Sequence, residues 1–386
     1  MNVLLVLTNI WLIALIVFII INFGYFFLVL TLAKIKRKQI RKKDYTPFIS
    51  ILIPCYNVAA SIDHKIKNTL KMDYPNDKFE IIAVESGSAD NTYSILSKYA
   101  DQGKIKLLRQ PQRLGKSSAI NYGLSACNGD IIVMTDADAI LEEKGVKELV
   151  KNFADDSVGA VVGNVTLISG KSVISRMNQA FYRIFRQKLR ELESRFDSVS
   201  FWSGELCAFR KSLLERLEED IINDDRYIFL KIRSKGYRCI SEPLARVYEK
   251  DAENVKGQMN HKRRTTAGTI QGTFRFKHML FNTKYGFFGM LIFPAHFLRI
   301  ILLPILLLII EILSPFAIFV FLSSFNGVFL LAVVATVLAL LGLFNRGREL
   351  LFSLFYGVLV QVAIIGGIAD YILKRQSVLW KPIAKG

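Results

Sequence analysis

The stretch GDIIVMTDADAI, residues 129–140, decides the fold and poses the first functional question. Ile131, Ile132, Val133 and Met134 form an unbroken apolar run, the pattern of a central parallel strand covered on both faces. Two carboxylates, Asp136 and Asp138, close it with one residue between them. Open α/β sheets bind ligands just beyond the carboxyl ends of such strands. Acids at that point read either as a turn and helix cap or as a site for a hard cation.

Working outward, the runs 50–54, 79–84, 104–109 and 130–135 are strand-like, and segments with helical periodicity separate them. Ile95 and Tyr99 follow Asn91 at helical spacing, as Ala126 follows Tyr122 beyond Asn121. Strand and helix alternating in this way predict βαβ units and a mostly parallel sheet. Residues 158–165 supply another strand, and 237–241 and 245–249 two short late ones.

The rest of the chain has another character. Of its 386 residues 52% are hydrophobic, high for an ordinary soluble enzyme. From Asn2 to Ala33 every residue is uncharged, and the run is too long for a signal-peptide core. Further apolar stretches at 298–322, 328–344 and 350–373 predict about three more spans. Residues 34–43, KIKRKQIRKK, carry seven positive charges, which fits the positive-inside rule and anionic lipid better than nucleic acid. The expected organisation is a transmembrane helix (1–33), a basic linker (34–46), an α/β domain (47–260), basic and aromatic interfacial helices (261–297), about three transmembrane helices (298–373) and a tail (374–386). The middle of the chain then faces the cytosol of a multi-pass membrane protein. Three late spans put the C-terminus outside, against the four positive charges of the tail. Cys55, Cys127, Cys207 and Cys239 lack zinc-ligand spacing and read as core residues.

Chemistry-bearing residues follow the strands in order: IPCYN (53–57), VESGSADNT (84–92), RLGKSSAIN (113–121) and TDADA (135–139). GKS at 115–117 is not a phosphate loop, because Gln110 stands where that motif needs glycine. Lys116 is left as a nucleotide contact or a solvated lysine. In NDDRYIF, Asn223 suits a helix cap, while Asp224 and Asp225 suit either the helix dipole or a general base. Arg263 and Arg264 fit a diphosphate or lipid headgroups.

Together with FWSGELCAFR (201–210) and EPLARVYE (242–249), these stretches resemble the family 2 glycosyltransferases, above all the membrane-embedded synthases of hyaluronan, chitin and poly-N-acetylglucosamine. The resemblance covers about residues 47–322. It implies an α/β, GT-A type nucleotide-sugar-binding domain, inversion at the anomeric carbon, and a Mg²⁺ or Mn²⁺ cofactor held by Asp138 and Asp136. Pro54, Tyr56, Glu85, Lys116, Asp136 and Arg263 would then hold the nucleotide, with a UDP-sugar as the expected donor. Asp225 would be the base, with Asp224 and Arg264 beside it, and Trp202, Gly204 and His261 would face the acceptor.

Three departures stand out. Glu85 replaces the usual aspartate, Asn223-Asp224-Asp225 replaces Thr-Glu-Asp, and His261 and Thr265 replace the glutamine and tryptophan of the polymerases' Gln-x-x-Arg-Trp. Losing that tryptophan removes an aromatic platform for the acceptor sugar. The leading expectation is a transferase extending a polysaccharide at the cytosolic membrane face, with possible export. The alternatives are transfer of one sugar to a lipid-linked acceptor and, from another class, a transporter or channel with a nucleotide-sensing domain. Partners are the nucleotide-sugar, the acceptor and membrane lipids, with no nucleic acid.

Overall fold

The structure, a computed structural model, describes residues 2–168, 186–250, 255–323, 336, 345–375 and 378–379. An eight-stranded mixed sheet organises it, in the order β3-β2-β1-β4-β7-β6-β8-β5. The strands are β1 Ile49–Cys55, β2 Phe79–Ser86, β3 Lys106–Gln110, β4 Ile131–Met134, β5 Ile140–Leu141, β6 Val158–Ile168, β7 Cys207–Arg210 and β8 Arg238–Lys250. The pairs β3/β2, β2/β1, β1/β4 and β6/β8 are parallel; β4/β7, β6/β7 and β5/β8 are antiparallel.

β4 is central, as its apolar run predicts, and all four of its side chains are buried. Alternation sorts them: Ile131 and Val133 join one hydrophobic cluster, Ile132 and Met134 the other, so the sheet separates two cores. Burying each such aliphatic side chain contributes about 1.5–3 kcal/mol. Gly129 is needed just before β4, since a Cβ there would sit 2.4 Å from Ser50 N.

Two features differ from the sequence reading. Cys207–Arg210 is a strand, and it runs antiparallel to both β4 and β6, linking the parallel group β3-β2-β1-β4 to the parallel pair β6-β8. The two late strands are one, β8, which accommodates Glu242 and Pro243 through a register shift against β6.

The helices of the α/β part are α3 Ile62–Leu70, α4 Thr92–Asp101, α5 Lys116–Ala126, α6 Gly145–Val150, α7 Lys188–Phe196 and α8 Asp224–Ser234. They follow α1 Asn2–Ile19 and α2 Tyr25–Ile35, which a π-helical turn at Ile20–Gly24 joins. After the sheet come α9 Val255–Arg275, α10 Phe293–Leu322 and α11 Asn345–Ile372. α9 therefore runs through the boundary expected at residue 260.

Among the described residues two helical stretches, Val3–Ile35 and Phe288–Leu322, are long and apolar enough to cross a membrane; a third apolar helical stretch, Tyr356–Ile372, is shorter. The span expected at 328–344 lies, apart from residue 336, outside the described residues. Polar contacts tie these helices together. Trp11 Nε1 donates to Ser314 Oγ at 3.0 Å, Gln361 Nε2 to Pro304 O at 2.9 Å, and Tyr356 OH to Gln258 Oε1 at 2.6 Å.

Candidate active site

The loops after β1 and β2 are knit together beside the sheet. Asn57, at φ 50°, donates its N–H to Ser88 Oγ at 3.0 Å and accepts Ala89 N–H on Oδ1 at 2.9 Å. Val58 N–H donates to Thr92 Oγ1 at 2.9 Å and Ala59 N–H to Asp90 Oδ2 at 3.0 Å. Gly87 adopts φ +67°, and a Cβ on it would lie 3.0 Å from the backbone of Gln112 and Arg113, so the loop after β3 closes on the same place. There the Arg113 guanidinium covers the Tyr56 ring at 4.1 Å. Pro54 lies one step back, in β1 opposite Val84.

Glu85, expected at the nucleotide, is turned inward and buried. Its Oε1 accepts Ser88 N–H at 2.5 Å, and Oε2 faces Arg109 Nε at 3.6 Å. Its visible work is to hold the turn through Gly87.

The charged centre lies at the end of β4. Lys116, the first residue of α5, places its Nζ 2.8 Å from Asp136 Oδ1 and 3.4 Å from Asp224 Oδ2. Burial works against its charge, but Asp136 and then Asp224 outweigh that and hold its pKa well above the usual lysine value. Gly204 faces the same point, since a Cβ there would be 3.4 Å from Lys116 Nζ and 3.7 Å from Asp136 Oδ2. Asp224 and Asp225 open α8, behind Asn223. Burial, then repulsion from Asp224, pushes Asp225 up to about 7, with Lys116 opposing. A carboxylate whose pKa is raised in this way, beside a second carboxylate and a lysine, suits a general base.

α9 packs against the same cluster. Arg264 Nη2 donates to Ile222 O at 2.7 Å; burial lowers its pKa, against the attraction of Asp224 and Asp225. Arg226, beside Asp225, is buried and braces the first turn of α8, donating to Ser200 O at 3.2 Å and Thr273 Oγ1 at 3.1 Å. Sequence reasoning did not single it out.

The structure thus gathers Lys116, Asp136, Gly204, Asp224, Asp225 and Arg264; Asp138 is on the same turn as Asp136, and Tyr56 on the neighbouring loop. Three predicted residues are placed otherwise. Trp202, expected at the acceptor, is 3% exposed and stacks on Phe229 at 5.3 Å inside the core, so its ring has no open face for a sugar. Arg263, expected at the nucleotide, forks onto Asp370 of α11, with Nη2 to Oδ1 at 2.6 Å. His261 is exposed on the first half of α9, where its carbonyl accepts Thr265 Oγ1–H at 2.9 Å.

Lys65 was also missed. It is 2% exposed under the Asp136–Asp138 turn, and its Nζ donates to Thr135 Oγ1 and Ala139 O, both at 2.7 Å. Burial drives its pKa down to about 7, against Asp136 and Asp138. The available signal was a cation on the apolar stripe of α3, among Ile62, Ile66 and Thr69.

Residues 50–218, which carry β1 through β7 and the Asp136–Asp138 turn, match the profile of Glycosyl transferase family 2. The chain carries a family 2 glycosyltransferase domain. The poly-β-1,6-N-acetyl-D-glucosamine synthase of Staphylococcus aureus is 27% identical to this chain over 224 residues, 57% of this chain and 54% of the relative. The "probable glycosyltransferase YdaM" of Bacillus subtilis is 27% identical over 265 residues, 64% and 63% of the two chains. The chain thus spans between about half and just under two thirds of the length of these relatives. Among solved structures, a mannosyltransferase from Pyrobaculum calidifontis, in complex with GDP-mannose and Mn²⁺, superposes on this chain with a TM-score of 0.72 at 26% identity, covering 96% of this chain and 100% of that one. The α/β architecture with helices before and after the domain is therefore of the GT-A type expected.

Proposed function

We propose that this glycosyltransferase is a membrane-bound, metal-dependent enzyme that moves one sugar from a nucleoside-diphosphate sugar to an acceptor held at the cytosolic membrane face. The observation that carries this reading is the convergence of Lys116, Asp136, Asp224 and Asp225 at the end of β4, with Arg264 behind them.

Asp136 and Asp138 offer carboxylate oxygens, the donors that Mg²⁺ and Mn²⁺ prefer. Among the described residues no group of three or more His, Cys, Asp or Glu is placed to hold a metal; two carboxylates would leave the remaining positions of such an ion to diphosphate oxygens and water. When bound, the cation neutralises charge that develops on the departing diphosphate. The protein's own groups do the rest. Lys116 and Arg264 supply positive charge on two sides of the acids, the loops around Tyr56 and Arg113 hold the base and ribose, and Asp225 takes the acceptor's hydroxyl proton. The acceptor oxygen forms its bond to the anomeric carbon as that carbon's bond to the diphosphate oxygen breaks. The nucleoside diphosphate leaves, and the configuration inverts.

Extension of a polysaccharide is the second reading, favoured by the synthase relative. Single transfer is preferred because Trp202 is packed on Phe229 and Thr265 stands where the synthases carry tryptophan, so neither provides a stacking platform. The test is to supply purified protein with labelled UDP- and GDP-sugars, Mn²⁺ and membrane lipids, and to size the product. A single lipid-mobile product is expected. A high-mass ladder restores the polymerase reading, and membrane-impermeant labelling of the domain from outside the cell overturns the cytosolic placement.

A further inference from the structure

Lys65 has no place in the chemistry just described, yet it is among the most deeply buried charged groups of the domain. Lysine is rarely fully buried without a partner, and a methionine or leucine would fill the α3 stripe at less cost. What the ammonium does there is specific. Its two 2.7 Å bonds reach Thr135 Oγ1 and Ala139 O, the residues immediately before Asp136 and immediately after Asp138. The turn is thus tied at both ends from behind, while Asp136 meets Lys116 of α5 through Oδ1 at 2.8 Å.

The neighbouring contacts extend the same brace. Thr135 Oγ1–H donates to Glu205 O at 2.8 Å, linking the turn to the Ser203–Leu206 loop that presents Gly204 to Lys116. One turn further along α3, Asn68 exchanges a pair of hydrogen bonds with Leu141, Nδ2 to O at 2.9 Å and Oδ1 from N at 2.8 Å. Ala139 N–H closes the turn itself on Asp136 O at 3.2 Å.

We propose that Lys65 is a positioning residue for the metal–diphosphate site: its buried ammonium holds the 135–139 turn so that Asp136 and Asp138 are presented together before any cation arrives. This rests on the reading of Asp136 and Asp138 as the cation's protein ligands. Groups behind metal ligands act by orienting them, and their loss typically costs about 10–100-fold in metal affinity.

The experiment is Mn²⁺ titration of the full-length protein in detergent with GDP or UDP present, following free Mn²⁺ by its electron paramagnetic resonance signal. Lys65→Met is expected to weaken Mn²⁺ binding by about ten-fold or more. Lys65→Gln, which keeps N–H donors, is expected to recover part of that loss. Thr135→Val, which removes one of the two Lys65 bonds together with the bond to Glu205 O in a nearly isosteric side chain, is expected to weaken binding less than Lys65→Met does, since Lys65 keeps Ala139 O, and it keeps the test alive if the Lys65 variants fail to fold. In turnover the deficit in Lys65→Met should be overcome by high Mn²⁺, so the half-activating concentration moves and kcat recovers. Unchanged Mn²⁺ affinity in folded Lys65→Met overturns the proposal. Tighter binding also overturns it, since it would mean that the ammonium only repels the cation. Asp138→Ala separates the two levels: if it keeps wild-type Mn²⁺ affinity, the ligand assignment itself has failed, whatever Lys65 does.

Discussion

Gly268→Ala tests whether α9 sets the position of the proposed base. A Cβ built on Gly268 falls 2.5 Å from Asn223 Cγ, 2.6 Å from Oδ1 and 2.8 Å from Nδ2. Carbon atoms prefer about 3.5–4.0 Å, so the overlap is about 1 Å and something must move. The Asn223 side chain is not loose, since its Nδ2 donates to Thr265 O at 3.0 Å. Moving α9 instead strains the bond from Arg264 to Ile222 O at 2.7 Å and both bonds of Gln271, which accepts Ile222 N–H on Oε1 at 3.1 Å and donates Nε2 to Asp220 O at 2.9 Å. Overpacking of this kind costs about 1–3 kcal/mol, against a gain of about 0.5–1 kcal/mol from replacing a helical glycine by alanine. Asn223 directly precedes Asp224 and Asp225, so the displacement passes to the base, and a shift of about 1 Å there can cost about 100-fold in rate. The expected result is a kcat/KM about 100-fold lower with a melting temperature only a few degrees lower, read by acceptor-dependent nucleoside diphosphate release and thermal unfolding. Gly272→Ala is the internal control: its Cβ would lie an ordinary 3.6 Å from Arg226 Cδ and Leu230 Cδ1, so rate and stability should hold or improve. A Gly268→Ala enzyme with wild-type turnover would refute the idea that this contact positions the base.

The pH dependence follows from Asp225, which must be ionised to accept a proton: kcat/KM should rise through about 7 and level off above it. Lys116→Met removes the cation that opposes the upward shift, so its inflection should move to higher pH; a wild-type profile flat across that range contradicts the assignment. Trp202→Ala should cost about 3–5 kcal/mol of stability and leave the acceptor KM of the folded enzyme unchanged; a KM effect without a stability loss returns the ring to the acceptor site. Arg263→Ala should leave nucleotide affinity unaltered and, in a double-mutant cycle with Asp370→Ala, show a coupling of about 0.2–1 kcal/mol for a half-exposed pair. A large loss of nucleotide affinity in that variant would place Arg263 back at the diphosphate.

The parallel half of the sheet was legible because β1, β2 and β4 are apolar runs followed by loop chemistry, and burial on both faces leaves that pattern little freedom. β7 was not. Four residues ending in arginine, inserted antiparallel between β4 and β6, carry no period of their own. β8 read as two strands because Pro243 looks like a break, and only the partner strand shows that a register shift absorbs it. At the site, Lys116, Asp136, Asp224 and Asp225 could be gathered because each begins or ends an element at the same edge of the sheet. Arg263, Trp202 and Lys65 could not be placed, since their roles rest on distant partners: Asp370, Phe229, and the pair Thr135 and Ala139. A cation in an apolar stripe was the one visible warning.

The most direct test of the account is nucleoside diphosphate release from labelled UDP- and GDP-sugars by the purified protein with membrane lipids and Mn²⁺, run beside Asp225→Asn and Asp138→Ala. The account predicts release coupled to labelled lipid in the wild type, its loss in both variants, and retained nucleotide binding in Asp225→Asn. Undiminished transfer by Asp225→Asn, or no turnover of any donor by a wild-type protein that binds nucleotide, would contradict it.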